Sequence, residues 1–389
     1  MMGRILVFTG KGGVGKTSVA AAHARHSALE GKKTLIVSTD MAHNLSDIFE
    51  MPLGKTIKEV SNNLFALEID PNHVMENDFQ DMQRAIVNMI GSFGMPMGDR
   101  EQLSVLPGMD ELFSLLKIME IHDSGAYERI IVDCAPTGET LSLLKFPELL
   151  SWYMEKLFPI GKFAMRVLAP ISKSLFKVQL PDKAAVSDIE KMFVKLAQLQ
   201  NLLKDRSVSS IRLVTMPEKM VVEETKRNYM YMNLYNFQVD GLYINRILPK
   251  DIDNPFFNEW VDLQSQYIEE LEAVFGDMPI YRIPWFDTDL NGISGIDRIE
   301  QQVLRGRDVF KLQEDIKGER YEQSDDGYKL SIYLPCIEKG DLHLHESGTD
   351  IIIKIGNYKR SIPLPSSLRN HDVTSAKLVE NTLQIQFSQ

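Results

Sequence analysis

Gly10-Lys11-Gly12-Gly13-Val14-Gly15-Lys16-Thr17-Ser18 carries the strongest structural signal in the chain. It fits the pattern GxxxxGK followed by Ser or Thr. Its glycines permit a tight wrap of backbone whose N–H groups point inward at phosphate oxygens. In that geometry Lys16 reaches the β- and γ-phosphates of a nucleotide and the Thr17 hydroxyl ligates Mg2+. The helix that starts here adds the positive end of its dipole. A chance glycine-rich turn is the alternative, and the flanks argue against it. Residues 5–9 are a short β-rich run, and 19–29 are alanine-rich and suit a helix.

Outward from this loop, Gly31 reads as a helix stop and 34–38 as a second buried strand. Strand, loop, helix, strand in that order implies a parallel sheet with right-handed crossovers. Further strand candidates are 64–69, 129–133, 212–216, 242–245 and 280–283, most of them separated by helical stretches. The expectation is an α/β domain over 1–312, with a mostly parallel sheet and a helical insertion. Residues 313–327 are polar and charge-dense and read as a linker. Beyond them the period changes to two: Leu330, Ile332 and Leu334 alternate with polar neighbours, as do Leu342 and Leu344 with His343 and His345. Residues 328–389 are therefore expected to form a small all-β sandwich domain. His343 and His345 either ligate a metal or face solvent on an alternating strand.

Composition narrows the function. Of 389 residues, 44% are hydrophobic and 25% charged, ordinary for a globular protein. Net charge is −11, from 43 basic and 54 acidic residues, and no basic run is present. Nucleic-acid binding needs basic stripes that displace counterions, so no nucleic-acid partner is expected. The 2 cysteines, Cys134 and Cys336, form no CxxC, which speaks against a zinc cluster or a disulfide framework and fits a cytoplasmic, soluble protein. No apolar run is long enough to span a bilayer, so at most transient membrane association is expected.

Lys11 refines the class. The run KGGxGK resembles the deviant Walker A P-loop families: MinD- and ParA-like ATPases, the nitrogenase iron protein and the ArsA group. That resemblance implies a homodimer in which Lys11 reaches the partner's nucleotide; a solvated surface lysine is the alternative. Three more runs choose among these families: Asp40-Met-Ala-His-Asn-Leu-Ser-Asp47, Pro107-Gly-Met-Asp-Glu111 and Asp133-Cys-Ala-Pro-Thr-Gly-Glu-Thr140. Together they resemble the ArsA ATPases and the guided-entry ATPases that carry tail-anchored membrane proteins. The likeness covers about 300 residues and implies an ATPase using ATP and Mg2+.

Each run has a chemical meaning. Asp40 lies just past a strand end, where α/β sites sit, and is the candidate for orienting the attacking water; a helix N-cap is its other use. Asp133 closes a hydrophobic strand as a Walker B carboxylate does, holding Mg2+ through water or positioning Thr17. Pro136, Thr137 and Gly138 form a second switch loop. The resemblance also implies that Asn245 hydrogen-bonds adenine and that Pro284, Trp285 and Phe286 line the base pocket. For Asn245 a strand-end turn role stays open, and for Trp285 and Phe286 so does core packing.

The chain departs from the family in several places. Glu139 stands where the family has histidine, and Met41 where it has proline. The zinc-clamping CxxC and the arsenite-binding cysteine triad are absent, and one P-loop is present rather than the two of ArsA pumps. Seven of the 19 methionines fall within 75–119. With 149–205, this Met-rich helical subregion is either core or an adaptable groove for a hydrophobic client, such as a transmembrane helix. The last segment resembles the α-crystallin domain of small heat-shock proteins, through Ile362-Pro-Leu-Pro, Val373 and Glu380-Asn-Thr-Leu-Gln-Ile-Gln-Phe387. The expected function is that of a nucleotide-gated chaperone or targeting factor for tail-anchored clients. The alternatives are an arsenite or metalloid efflux ATPase subunit and a MinD/ParA-like regulatory switch.

Overall fold

The computed structural model describes residues 3–40, 44–80, 109–135, 188–252, 254–313, 317–324, 327–337, 339–347, 350–365, 368 and 371–388. By internal packing the chain divides into two units, one of 1–71, 117–141 and 202–317, the other of 72–116, 142–201 and 318–389.

The first unit is organised by an eight-stranded sheet in the order β3-β4-β2-β5-β1-β6-β7-β8. These strands are β1 (Arg4–Thr9), β2 (Thr34–Ser38), β3 (Lys58–Ser61), β4 (Leu64–Glu68), β5 (Arg129–Asp133), β6 (Ser209–Thr215), β7 (Val239–Ile247) and β8 (Ile280–Pro284). All neighbours pair in parallel except β3, which runs antiparallel to β4 at one edge. The central strands are almost continuously apolar because both faces are covered, as parallel sheets require. Ile5, Leu6, Phe8, Leu35, Ile36, Ile130, Ile131 and Val214 are fully buried.

Helix α1 (Lys16–Leu29) follows β1 directly. Val19, Ala20, Ala21, Ala22 and Ala24 are wholly buried, so small side chains let this helix lie close against the sheet. The other described helices are α2 (Asn44–Phe49), α3 (Pro71–Asn77), α4 (Met109–Asp123), α5 (Asp188–Lys204), α6 (Lys219–Leu234), α7 (Pro255–Phe275) and α8 (Gly292–Ile299). Helix α7 has its start set by Asn254, whose side chain accepts from the Phe256 N–H, and by Pro255 at the first helical position. A turn of π-helix, Glu300–Leu304, continues α8.

A buried polar network ties α1 to the sheet. Arg212 donates to Asp240 Oδ1 at 2.6 Å, to the Tyr243 hydroxyl at 2.6 Å and to the Val309 carbonyl at 2.8 Å. His23 completes the chain: its Nε2 lies 2.8 Å from the Tyr243 hydroxyl and its Nδ1 2.8 Å from the Val19 carbonyl. A carbonyl can only accept, so Nδ1 carries the proton and Nε2 accepts from Tyr243. Burial and the nearby Arg212 hold the His23 imidazole well below its usual pKa, so it is neutral.

In the second unit, Phe79 packs with its ring 6.2 Å from that of Phe113, and Lys195 Nζ lies 4.6 Å from the Phe79 centroid. Its C-terminal part forms two antiparallel sheets, β14-β15-β10-β9 and β11-β12-β13. Here β9 is Arg320–Ser324, β10 Gly327–Tyr333, β11 Leu342–Ser347, β12 Asp350–Ile355, β13 Tyr358–Pro363, β14 Val373–Val379 and β15 Thr382–Phe387. The register places Leu330 opposite Ile385 and Ile332 opposite Leu383. Those four and Ile351, Ile353, Ile362 and Phe387 are buried, so each sheet presents one apolar face. His343 and His345 are exposed on β11, opposite Lys354 and Ile352, and gather no cluster of metal ligands among the described residues.

Two expectations change. The stretch 313–327 is not wholly connective, because Arg320–Ser324 pairs with β10 as a sheet edge. Its charge density suits an edge strand, whose outer side faces water. Within 75–119, Met75 and Met119 are buried core side chains at 5% and 6% exposure, not groove surface. Met82, Met89, Met95 and Met97 lie outside the described residues, as does 149–187.

Candidate nucleotide site

The site gathers at the C-terminal edge of the parallel strands. β1 ends at Thr9 and runs into the glycine loop, flanked by β5 and β6. Gly10 lies so close to β6 that a Cβ there would stand 2.2 Å from the Val214 carbonyl oxygen. Gly15 adopts φ 89°, the left-handed conformation, and caps α1. The Lys16 side chain is buried, and its Nζ donates to the Lys11 carbonyl at 3.3 Å. That carbonyl takes one of the three N–H donors of the ammonium that the sequence assigns to phosphate.

Asp133 closes β5 beside both Phe8 and Ser38 in register. It is 1% exposed, and neither carboxylate oxygen has a hydrogen-bond partner of good geometry among the described residues. Desolvation pushes its carboxyl up to about 7; the Thr17 hydroxyl and the Lys16 ammonium oppose this, and the charge of Asp40 adds to it. A buried carboxyl whose oxygens lack a hydrogen bond of good geometry among the described residues, with a second carboxylate nearby and a hydroxyl beside it, suits a hard divalent cation. The residues present therefore fit Mg2+, which Thr17 and Asp133 would hold and which would neutralise phosphate charge.

Asp40 sits two residues past β2, its N–H donating to Ser38 Oγ at 3.2 Å. Helix α2 is tied to the sheet edge. Ser46 donates through its N–H and its hydroxyl to the two carboxylate oxygens of Glu68, both at 2.8 Å. Glu68 ends β4 and is 4% exposed. Sequence reasoning missed this tether, since nothing local marks a carboxylate that serves a residue 22 positions earlier.

Asn245 lies near the end of β7, buried, and its amide donates to the Val14 carbonyl at 2.8 Å. Pro284 pairs with Ile247 at the end of β8, so Pro284, Trp285 and Phe286 follow on the strand adjoining Asn245. Trp285 is 54% exposed, whereas Phe286 packs partly against the core with the Arg298 guanidinium 4.8 Å from its ring centroid. Lys11 is half-buried, with Nζ 3.8 Å from Glu224 on α6. Glu224 is another residue the sequence did not single out. Pro136, Thr137, Gly138 and Glu139 lie outside the described residues, as do Pro107, Gly108, Met41 and His43.

Likeness to known proteins identifies the family. The profile of the anion-transporting ATPases matches residues 3–305. A second profile, of an HSP20-like domain found in ArsA, matches 325–387. The chain is 33% identical over 387 residues to the putative arsenical pump-driving ATPase of Chlorobaculum tepidum, covering 99% of this chain and 96% of that one. It is 30% identical over 310 residues to ATPase ASNA1 homolog 1 of Paramecium tetraurelia, covering 77% and 92%. With ATPase get3 of Pyrenophora tritici-repentis identity is 28% over 311 residues, covering 76% and 89%. A glycine loop of GxxxxGK pattern at the head of α1, a buried carboxyl beside it and a family profile spanning the whole sheet lead to one conclusion: this chain is an ATPase that belongs to the anion-transporting ATPase family.

Proposed function

We propose that the chain works as a homodimer whose ATP-driven closing and opening gates the binding of a hydrophobic protein client, such as the transmembrane helix of a tail-anchored protein. The observation that carries this choice over metalloid efflux is the thiol inventory. Arsenite requires soft thiolate ligands, and the chain offers only Cys134, buried beside Asp133, and Cys336, exposed in the β part. The relatives named arsenical pump-driving ATPases do not supply the missing ligands to this chain.

In the proposed cycle Lys16 and the loop amides hold the β- and γ-phosphates, Thr17 and Asp133 hold Mg2+, and Asp40 orients the attacking water. Lys11 leaves Glu224 to reach the partner's nucleotide. The Lys11–Glu224 pair is about one-third exposed at both ends, so its loss costs at most about 1 kcal/mol. In this reading Trp285, 54% exposed, covers the adenine. The methionine-rich sequence within 75–119, apart from the core residues Met75 and Met119, supports the client reading, since flexible thioether side chains adapt to varied apolar partners.

The test is binding of a fluorescently labelled hydrophobic helix to Asp40→Asn protein with ATP and to wild type with ADP. Tight binding with ATP and release with ADP supports the gating. Equal binding in both states, or arsenite stimulation of ATP turnover, removes it. Mixed dimers test Lys11: a Lys11→Ala subunit should impair its partner's site rather than its own.

A further inference from the structure

Asn245 makes a contact that base recognition does not require. Its Nδ2 donates to the Val14 carbonyl at 2.8 Å, across 231 residues of sequence, while its Oδ1 accepts from the Arg246 N–H at 2.9 Å. The two bonds fix which end of the carboxamide is nitrogen, because a carbonyl cannot donate and an N–H cannot accept. Arg246 takes φ 56°, in the left-handed region, which brings its N–H back onto Asn245 Oδ1. The carboxamide is thus oriented by the protein's own backbone groups.

The partner of this bond is the peptide that precedes Gly15. In a trans peptide the C=O and the following N–H point in opposite directions. Holding the Val14 carbonyl toward β7 therefore aims the Gly15 N–H away from β7. Gly15 is the residue least able to hold that orientation by itself: it stands at φ 89° and, having no Cβ, rotates freely. It must also remain glycine, because a Cβ there would come within 2.3 Å of Asn245 Nδ2. Two positions earlier on the same face of β7, the Tyr243 hydroxyl bonds His23 of α1. The strand thus grips the loop and its helix at two points.

We infer that Asn245 is a positioning residue for the phosphate loop: by locking the Val14–Gly15 peptide it presets the Gly15 N–H as a phosphate donor, whatever base the nucleotide carries. This rests on the nucleotide-site reading and extends it from adenine to phosphate. The second N–H of Nδ2 and the second lone pair of Oδ1 are left for a base, so the two roles are compatible.

Inorganic tripolyphosphate with Mg2+ separates them, because it offers a phosphate chain without base or ribose. Its affinity and that of ATP are measured on wild type, Asn245→Ala and the near-isosteric Asn245→Asp, alongside amide hydrogen exchange of the ligand-free loop and circular dichroism. Both variants should lose about tenfold in affinity for both ligands, the worth of one buried hydrogen bond. The Gly15 amide should also exchange faster without ligand. A loss confined to ATP, with tripolyphosphate binding and Gly15 exchange unchanged, makes Asn245 a base contact only and overturns the inference. If neither variant accumulates folded protein, Asn245 is a determinant of the fold, and the inference falls in that case also. Failure of wild type to bind ATP would instead strike the nucleotide-site assignment itself.

Discussion

Two aspartates on neighbouring parts of one sheet, Asp133 and Asp240, are both 1% exposed and yet have opposite surroundings. Asp240, near the start of β7, receives Arg212 at 2.6 Å on one oxygen and Arg4 at 2.9 Å on the other. Asp133, at the end of β5, has no hydrogen-bond partner of good geometry among the described residues, and its carboxyl is pushed up to about 7. Burying a carboxylate is costly in both places. At Asp240 the cost is offset within the protein, so the group is structural. At Asp133 no such offset is present among the described residues, as the proposed role in holding a cation requires. Burial alone does not distinguish the two roles; the presence of a partner does.

The sharpest way to break this contrast is to remove each carboxylate. Asp240→Ala leaves the Arg212 guanidinium buried without its counter-charge and should cost about 3–5 kcal/mol of stability, read by denaturant unfolding. A loss below about 1 kcal/mol would show that Asp240 is not the offset partner described. Asp133→Asn should do the reverse, cutting ATP turnover about a hundredfold without destabilising the protein. Its folded-state pKa is raised, so burying Asp133 opposes folding in full above about pH 7 and progressively less as pH falls below that. In metal-free protein the Asp133→Asn thermal midpoint should therefore exceed wild type at pH 8, by a margin that shrinks toward pH 5. A midpoint lowered at pH 8 contradicts the orphan assignment.

Asp40→Asn sharpens the catalytic side. Its turnover should drop at least tenfold while nucleotide affinity holds, because the phosphate cradle is intact. The smallest effect concerns His23. Its folded-state pKa is depressed, so the unfolded chain takes up a proton that the folded chain refuses as pH falls below about 6.5. Stability from this group is full above that pH and declines below it, by at most about 1.4 kcal/mol per pH unit. This runs opposite to Asp133. In His23→Gln the wild-type loss between pH 7 and 5.5 should flatten or reverse, as thermal unfolding across that range would register.

Much of the architecture was legible because its signals are local. The runs 129–133 and 34–38 coincide with β5 and β2, since continuous apolar, β-branched stretches bounded by turns suit buried parallel strands. The edges were not legible. The polar run Lys-Glu-Val-Ser of β3 and the charged run Arg-Tyr-Glu-Gln-Ser of β9 lack an apolar signature, because an edge strand is partly in water and takes its order from the neighbour it pairs with. The same divide holds in the site. Gly10 through Ser18 declares its phosphate chemistry in nine consecutive letters, whereas Glu68, Glu224 and the Asn245–Val14 bond have no local mark.

By itself, then, the sequence determined the phosphate loop, the alternation of strand and helix, the change of period beyond residue 327 and the carboxylates that close β5 and follow β2. These follow from backbone stereochemistry and hydrophobic periodicity, which act over a few neighbouring residues. Tertiary structure alone decided which buried aspartate is paired, what satisfies Lys11 and Lys16 within the chain, and what holds the Val14 peptide in place. Those outcomes depend on desolvation and on hydrogen bonds between groups as far apart as Val14 and Asn245, which only the closed sheet brings within reach.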